Sequence, residues 1–336
     1  MKRVLLICPR FFDYYKAICA ELEQMGYEVD WFDDMPNKYP FVRALGRINT
    51  NWIQPFARVY FDRMMAQVGE KRYDVVILMR GMCFCYDEEM MRQLKANQGS
   101  AQFVLYQWDS LRNMQDTPWI WSLFDRCYSF EPGDVKREPK LSLLPLFYTR
   151  DYQNVGQQAA QPEWDYFYYG TAHPKKLTYI NRMAKLLQEK GLRVNVGHFL
   201  PSKLKYYYHK LHDRRAYRGY RFSDFTTTKL SMAEMAQAVA NAKCVLDSPQ
   251  GGQYGLTMRS IECLGAKRKL ITANEDIRNY DFYNENNIYV FGGTLDFDHP
   301  FFHTDYEAVE EEVYQRYSLR SWLEVMLGEK EEVYRK

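Results

Sequence analysis

The stretch that decides the fold reads VLDSPQGGQYGLTMRSIECLGAKRKLITAN and spans residues 245–274. Its pattern is an apolar strand, a glycine-rich loop, an amphipathic helix, a tight turn and a second strand. A helix that follows a glycine-rich loop presents free backbone amides and a partial positive charge, which favour an anionic ligand. The stretch therefore predicts an α/β unit that binds a phosphate group where this helix begins.

The loop and the first helical turns supply the ligand-binding candidates. Arg259 carries a guanidinium suited to bidentate phosphate contacts. Glu262 follows on the same helical face, where its carboxylate can accept hydrogen bonds from two vicinal hydroxyls. The alternative is a bare turn with a surface pair of Arg259 and Glu262, because glycine-rich loops alone are weak signals. The candidates are Gly251, Gly252, Tyr254, Gly255, Thr257, Arg259 and Glu262.

Strand-like and helix-like segments alternate on both sides of this stretch. Residues 1–150 show the alternation typical of a parallel sheet covered by helices, which predicts a first Rossmann-like domain. Residues 151–163 are polar and rich in glutamine, which predicts a linker. The alternation restarts over 164–305. The fold class is predicted as α/β, with two Rossmann-like domains facing a central cleft, because open α/β sheets bind ligands at the carboxyl ends of their strands.

Composition excludes several classes of protein. The chain has 336 residues, and 45 Lys+Arg against 43 Asp+Glu leave a net charge of +2, which argues against nucleic acid as the main partner. Apolar runs such as residues 75–79 are far shorter than the roughly 20 residues of a membrane-spanning helix. The apolar run behind the N-terminus has no cleavage site, which predicts a cytoplasmic protein. The seven cysteines, an odd number in apolar segments, predict no disulfide framework.

Residues 220–275 resemble the donor-binding segment of GT-B glycosyltransferases, in particular CgeB-like proteins and bacterial capsule or lipopolysaccharide transferases. The likeness rests on the sequences LSMAEM, AKCVLD and GLTMRSIECLGAKRKLITAN, which begin at positions 230, 242 and 255. It implies transfer of a sugar from a nucleotide-sugar donor to a hydroxyl of a cell-surface glycan or a lipid-linked acceptor. It also implies that Glu262 contacts the donor ribose and that C-terminal helices in 306–336 pack back across the linker.

One position departs from the family. Many retaining members carry a second glutamate eight residues before the position of Glu262, and this chain has Tyr254 there. Inversion and retention therefore both stay open. An inverting enzyme needs a general base for the acceptor hydroxyl. Asp109 directly follows a buried strand of the first domain and is the predicted base. The alternative is that Asp109 caps its own loop.

Three further residues are predicted to bind the acceptor. Arg80 ends the third predicted strand, and a buried salt bridge is its alternative role. Arg10 follows the first strand. Glu131 lies in a Glu-Pro-Gly turn, and a role in that turn is the alternative.

The segment Gly170-Thr171-Ala172-His173 is a second connection from a strand to a helix. Its helix start can meet the donor diphosphate, and His173 or Lys176 would neutralise the charge of the leaving group. His173 is the second catalytic candidate, with a solvated or structural histidine as the alternative. No Asp-x-Asp pair lies in a cleft-facing region, since Asp33-Asp34 and Asp296-Phe297-Asp298 fall outside those regions. No metal or other cofactor is expected besides the nucleotide-sugar co-substrate.

Charge is unevenly distributed along the second half. Residues 172–221 contain 13 Lys+Arg against only Glu189 and Asp213. Within them, residues 203–215 mix cations with tyrosines. Three interpretations of this segment stay open. It contacts an anionic membrane that presents a lipid-linked acceptor, it contacts single-stranded nucleic acid, or it is an ordinary solvated face. The first would place the protein at the inner face of the plasma membrane.

Two other functions stay open. An epimerase or phosphorylase can use the same fold, and it would turn over its substrate without an acceptor alcohol. A non-catalytic nucleotide-sugar or glycan-binding protein of a polysaccharide assembly machine would bind a nucleotide without turnover.

Overall fold

The computed structural model describes residues 1–36, 40–46, 48–82, 84–114, 117–158, 162–248 and 253–335. The chain divides into two compact units. The first comprises Met1–Pro145 and Leu319–Glu332, and the second comprises Leu146–Ser318 and Val333–Lys336. Each unit is built on one parallel sheet.

The described residues form the following elements. The strands are β1 Arg3–Ile7, β2 Glu28–Phe32, β3 Val75–Arg80, β4 Gln102–Gln107, β5 Arg126–Ser129, β6 Leu141–Leu143, β7 Trp164–Thr171, β8 Val194–Phe199, β9 Ala242–Leu246, β10 Lys269–Thr272 and β11 Ile288–Val290. The helices are α1 Tyr14–Gln24, α2 Pro40–Gly46, α3 Gln54–Val68, α4 Glu88–Asn97, α5 Pro132–Arg137, α6 Arg150–Gly156, α7 Pro174–Gln188, α8 Lys203–His212, α9 Met232–Ala240, α10 Met258–Gly265, α11 Glu311–Arg316 and α12 Leu319–Leu327. Short 3-10 helices occupy Thr50–Ile53, Leu111–Asn113, Pro118–Leu123, Phe222–Asp224, Glu275–Asn279 and Pro300–Phe302.

The sheet of the first unit has six strands in the order β2-β1-β3-β4-β5-β6, and every neighbouring pair is parallel. All six residues of β3 are buried. A run of apolar residues buried on both faces is typical of a central parallel strand that is covered by helices. β3 and β4 end side by side, since Arg80 pairs with Gln107. Residues that follow these two strands therefore lie close together.

The sheet of the second unit has the strand order β11-β10-β9-β7-β8. β7 and β9 are neighbours, with Phe167 opposite Val245. In a parallel sheet, the loops that follow neighbouring strands meet at the same edge. The Gly170–His173 segment and Asp247, which follows β9, are therefore brought together, although more than 70 residues separate them in sequence.

Part of the predicted linker is helical. α6 belongs to the second unit, and its residues Tyr152 and Val155 are buried. A Cβ atom added at Gly156 would lie 2.4 Å from the carbonyl oxygen of Gly265, so α6 and α10 pack with their backbones in contact. Two buried residues among polar ones are too few to show helical periodicity. The sequence prediction therefore missed this helix.

The C-terminal segment is divided between the two units. α11 lies in the second unit, and α12 lies in the first. Trp322 of α12 is fully buried, and its ring centroid lies 4.8 Å from that of Tyr106 on β4. Tyr27 donates a hydrogen bond of 2.7 Å to Glu329. α12 therefore completes the hydrophobic packing of the first unit. In the described part of the chain, no helix is both long and apolar enough to cross a bilayer.

Candidate functional site

The helix α10 is tied to the end of β9 by a buried carboxylate. Asp247 directly follows β9 and accepts hydrogen bonds from the hydroxyls of Thr257, at 2.9 Å, and Ser260, at 3.4 Å. Thr257 also caps the helix, because its hydroxyl accepts a hydrogen bond from the Ser260 amide. Side-chain capping satisfies amides that the first helical turn leaves free. The start of α10 is therefore firmly positioned.

A second buried residue fixes the loop between β9 and α10. Asn274 follows β10, and its side-chain amide donates hydrogen bonds to the carbonyl oxygens of Tyr254, at 2.9 Å, and Gly255, at 3.2 Å. The sequence analysis did not assign a role to Asn274. The predicted ligand-binding residues Gly251 and Gly252 lie outside the described residues. Tyr254 is exposed, so its side chain is accessible to a ligand.

Two cations from different helices gather near Asp247. Lys176 of α7 lies close to Asp247 and Arg259, and burial lowers the pKa of its ammonium while the Asp247 carboxylate opposes that shift. Arg259 of α10 lies over the ring of Tyr168, 5.3 Å from its centroid. The Nη1 atom of Arg259 is buried and has no hydrogen-bond partner among the described residues. Glu262 also lies close to Arg259, so the cluster holds two cations and two carboxylates. The buried Nη1 donor of Arg259, which no described residue satisfies, suits an anionic ligand.

Gly170 allows Arg259 to take this position. A Cβ atom at Gly170 would lie only 2.6 Å from the Tyr168 hydroxyl oxygen, so a larger residue would displace the ring on which Arg259 rests. Thr171, the last residue of β7, is exposed at the same edge of the sheet. The structure thus brings Lys176 and Arg259 together and places Gly170 and Thr171 at the same edge of the sheet.

His173 precedes the first residue of α7 and is exposed. Its side chain makes no capping hydrogen bond, so the first amides of α7 are not capped by this residue. Partial loss of contact with water, followed by the neighbouring Lys176, lowers the pKa of the imidazole. His173 is therefore neutral near neutral pH and can donate a hydrogen bond to an anion but adds no positive charge. Lys176 is the better candidate for neutralising a leaving group.

Glu262 is not a surface residue. It is 5% exposed. Its carboxylate accepts a hydrogen bond from the phenol of Tyr152, a residue of α6. The interpretation of Arg259 and Glu262 as a surface pair is therefore wrong. Sequence analysis could not find Tyr152, because it lies in the segment predicted as a linker.

In the first unit, Asp109 lies in the loop after β4. One carboxylate oxygen accepts a hydrogen bond of 2.9 Å from the Met82 amide. Burial raises the pKa of Asp109, and this hydrogen bond opposes the shift. A Cβ atom at Gly81 would lie 3.2 Å from a carboxylate oxygen of Asp34 and 3.9 Å from one of Asp109. Two carboxylates therefore converge on Gly81.

The position of Asp34 corrects the sequence analysis. Asp33 and Asp34 were predicted to lie outside the cleft-facing regions, yet both are buried where β2 ends, at the sheet edge that also carries Asp109. β1 lies between β2 and β3 in the sheet. The sequence pattern of each separate strand does not show this order. Arg10 lies 3.6 Å from an Asp33 oxygen and 4.8 Å above the Trp31 ring, which hold its guanidinium at this edge.

A cavity of about 170 Å³ adjoins the Asp109 loop. Its wall includes the buried Arg80 together with Asn51, Asp87 and Trp119. The side-chain oxygens of Gln54 and Thr117, which also lie in this wall, are buried and have no hydrogen-bond partner among the described residues. Buried polar atoms are usually hydrogen-bonded, so these two oxygens favour a polar ligand in the cavity.

Glu131 has a structural role. It is buried and forms the N-cap of α5, where its carboxylate accepts a hydrogen bond of 3.2 Å from the Gly133 amide. This is the turn role that the sequence left open. Glu131 is not among the residues that line the cavity.

No protein-family model matches the sequence, and no curated protein matches it at a significant level. Solved structures do match the fold. An α-glucosyltransferase in complex with UDP and a 13-mer DNA containing a central A:G mismatch has a TM-score of 0.54 and 11% identity over 98% of this chain and 90% of its own. Sucrose-phosphate synthase from Thermosynechococcus elongatus has a TM-score of 0.54 and 12% identity over 98% and 94%.

A third structure, Anabaena HepE in complex with UDP and glucose, has a TM-score of 0.50 and 11% identity over 98% of this chain and 95% of its own. Identities this low establish the fold alone. The fold is that of the GT-B glycosyltransferases, with two parallel-sheet α/β units, and this confirms the predicted fold class.

Proposed function

We propose that the protein is a glycosyltransferase that moves a sugar from a nucleotide-sugar donor to an acceptor hydroxyl. The observation that carries this proposal is the meeting of Lys176 and Arg259 at the Asp247 carboxylate, where α10 begins. A nucleoside diphosphate supplies the anionic group that Lys176 and the unsatisfied Nη1 donor of Arg259 suit. Two of the similar structures contain UDP, which agrees with this donor class.

The donor binds to the second unit in this proposal. Its diphosphate contacts Lys176, the buried guanidinium of Arg259 and the uncapped amides where α7 begins. The Glu262 carboxylate, oriented by Tyr152, accepts hydrogen bonds from the ribose hydroxyls. His173 donates a hydrogen bond to the leaving diphosphate. The charge that a metal ion would otherwise neutralise is met by the two cations.

The acceptor binds to the first unit, with its hydroxyl at Asp109. The acceptor oxygen forms a bond to the anomeric carbon, and the bond from that carbon to the diphosphate oxygen breaks. The proton of the hydroxyl passes to Asp109, whose raised pKa makes it a stronger base than an ordinary aspartate. A base at this position and an exposed Tyr254 in place of a second glutamate both favour inversion of configuration.

The finer proposal is that a hexose is added to a cell-surface glycan or to a lipid-linked precursor at the inner face of the plasma membrane. Arg80 and the polar wall of the cavity suit the hydroxyls of a sugar. Large apolar side chains close in sequence to the cavity-lining residues 50, 51 and 54 are exposed, which suits the chain of a lipid carrier. These side chains are Phe41, Ile48, Trp52, Phe56 and Val59.

A thermal-shift screen with nucleoside diphosphates and their sugars tests the donor class. A ligand at 100 times its dissociation constant adds about 2.7 kcal/mol to the free energy of unfolding. Glu262→Ala is expected to weaken binding of the best nucleotide by about 1–3 kcal/mol, because the ribose hydroxyls lose their charged acceptor. Glu189→Ala, which changes an exposed glutamate of the same unit, should bind as the wild type does. Wild-type affinity in the Glu262 variant would contradict the proposed ribose contact.

Turnover then separates the remaining classes. A glycosyltransferase releases nucleoside diphosphate faster when an acceptor glycan is added. Conversion of the nucleotide-sugar without any acceptor would indicate an epimerase or phosphorylase instead. Binding without turnover under every acceptor condition would indicate a non-catalytic binding protein.

A further inference from the structure

The helix α8 is anchored to the second unit along one side. Tyr206 is its buried residue, and its ring centroid lies 5.9 Å from those of Phe222 and Phe225. The Tyr206 hydroxyl donates a hydrogen bond of 2.7 Å to the Tyr220 carbonyl oxygen. Ser202 caps the helix by accepting a hydrogen bond from the Lys205 amide. These contacts fix the helix, and its opposite face points to solvent.

That opposite face is apolar. Leu204 is 81% exposed, Tyr207 64%, Tyr208 58% and Leu211 60%. Their spacing of three, four and seven residues places them on one stripe of the helix. A stripe with this spacing normally packs into a protein core. Here it is displayed on the surface, so it suits an apolar partner outside this unit.

Cations surround the stripe. Lys203, Lys205, Lys210, Arg214 and Arg215 are all exposed. The nearby acid, Asp213, is bound by His209 at 3.0 Å. Within the described residues, no ion pair involves Lys205, Arg214 or Arg215. The partner that complements this surface is therefore anionic as well as apolar.

We propose that α8 binds the surface of an anionic membrane. The two leucines enter the boundary between headgroups and acyl chains, the tyrosines lie at the level of the headgroups, and the cations contact anionic lipids. Nucleic acid would match the cations and tyrosines but not Leu204, the most exposed residue of the stripe. This inference rests on the α8 surface and does not depend on the proposed activity.

The proposed membrane-binding surface of α8 is connected to the candidate donor site within the second unit. The hydroxyl of Tyr217, which packs against Tyr206, donates a hydrogen bond of 2.8 Å to the carbonyl oxygen of Ala172. Ala172 lies between Thr171 and His173, in the loop that follows β7. A membrane bound at α8 would therefore lie beside the part of this unit that we expect to hold the diphosphate.

Sedimentation with vesicles tests the proposal. The full-length protein is mixed with vesicles of phosphatidylcholine containing one third phosphatidylglycerol, and with vesicles of phosphatidylcholine alone. We expect binding to the anionic vesicles that weakens as salt shortens the screening length. Lys205→Gln/Arg214→Gln/Arg215→Gln should bind about 100-fold more weakly, since each cation contributes about fivefold. Lys136→Gln/Arg137→Gln/Lys140→Gln removes the same charge from exposed positions in the first unit and should bind normally.

A second variant distinguishes the membrane from nucleic acid. Leu204→Ser/Leu211→Ser keeps every charge and should weaken vesicle binding by about tenfold or more. Anisotropy of a labelled single-stranded oligonucleotide should not change with this variant. The proposal fails if wild-type protein does not sediment with anionic vesicles at low salt, or if the leucine variant sediments as the wild type does. Tight oligonucleotide binding with the second result would assign the surface to nucleic acid.

Discussion

The two sheets carry different chemistry at the carboxyl ends of their strands. In the first unit, the carboxylates Asp34 and Asp109 converge on Gly81. In the second unit, the cations Lys176 and Arg259 meet at the Asp247 carboxylate, and Glu262 lies close to Arg259. Burial raises the pKa of Asp109 and lowers the pKa of Lys176, so both units hold a charge at a cost in free energy.

This difference separates the two roles that a transfer reaction needs. A half-buried carboxylate with a raised pKa is suited to accept a proton, whereas half-buried cations are suited to hold a diphosphate. Helix N-termini occur at the carboxyl edge of both sheets, so the backbone alone does not produce the contrast. The side chains that follow each strand produce it.

The largest expected effect concerns the carboxylates. Asp109→Asn should reduce turnover by about 100-fold to 10,000-fold, because the acceptor hydroxyl loses its base. Donor affinity should stay close to that of the wild type. Asp62→Asn, on the exposed side of α3, is the matched control and should keep full turnover.

The pH profile sharpens this prediction. Asp109 must be deprotonated to act as a base, so activity should fall as the pH drops through its pKa, which burial places above the ordinary aspartate value. The asparagine variant should lack this acid limb. Near-normal turnover of that variant would remove Asp109 from the mechanism and leave the first unit without its proposed base.

The second unit also contains a buried histidine, His198, that stays neutral. Burial lowers the pKa of His198 to about 4. An unfolded chain binds a proton at this residue below about pH 6.5, whereas the folded protein does not. The contribution of the neutral His198 to the free energy of unfolding is therefore fully present above about pH 6.5, and it is lost as the pH falls toward 4. The loss is about 3 kcal/mol in total.

Urea unfolding at pH 7 and pH 5 measures the part of this loss that occurs between these two pH values. His198→Gln should unfold with a smaller difference between the two pH values than the wild type does. His212→Gln, which changes an exposed histidine, should keep the wild-type difference. If the His198 variant keeps it too, the buried imidazole is not the source of the pH dependence.

The cations are tested by two adjacent lysines of α7. Lys176→Met should weaken binding of UDP, or of whichever nucleoside diphosphate stabilises the protein, by about 10-fold to 100-fold. Lys175→Met, at an exposed position, should change it by about twofold or less. Isothermal titration gives both affinities. Equal effects of the two variants would mean that net charge, not the position beside Asp247, attracts the ligand.

The smallest expected effect concerns the capped helix start. Thr257→Ala should lower the free energy of unfolding by about 1 kcal/mol, because α10 loses its N-cap and Asp247 loses a donor. Thr257→Ser keeps the hydroxyl and should be close to the wild type. Denaturant unfolding compares the two variants. An alanine variant as stable as the wild type would show that Thr257 is not needed to position α10.

Local sequence patterns predicted the features of the second unit that lie within one continuous stretch of sequence. Arg259 and Glu262 were singled out because they follow a glycine-rich loop within one helix, and Gly170 and Lys176 because they border the start of α7. Asn274 and Tyr152 were missed. Their roles depend on contacts with distant backbone or side chains, and neither residue lies in a motif that indicates those contacts.

The sequence by itself determined that the chain forms two parallel-sheet units, because buried parallel strands need short apolar runs and their helices need periodic apolar faces. Only the tertiary structure decided the order of the strands. β9 pairs with β7, and β1 lies between β2 and β3, which brings Arg259 to Lys176 and Asp34 to Asp109. Strand order depends on how whole faces of helices and strands pack together, and local sequence periodicity does not contain that information.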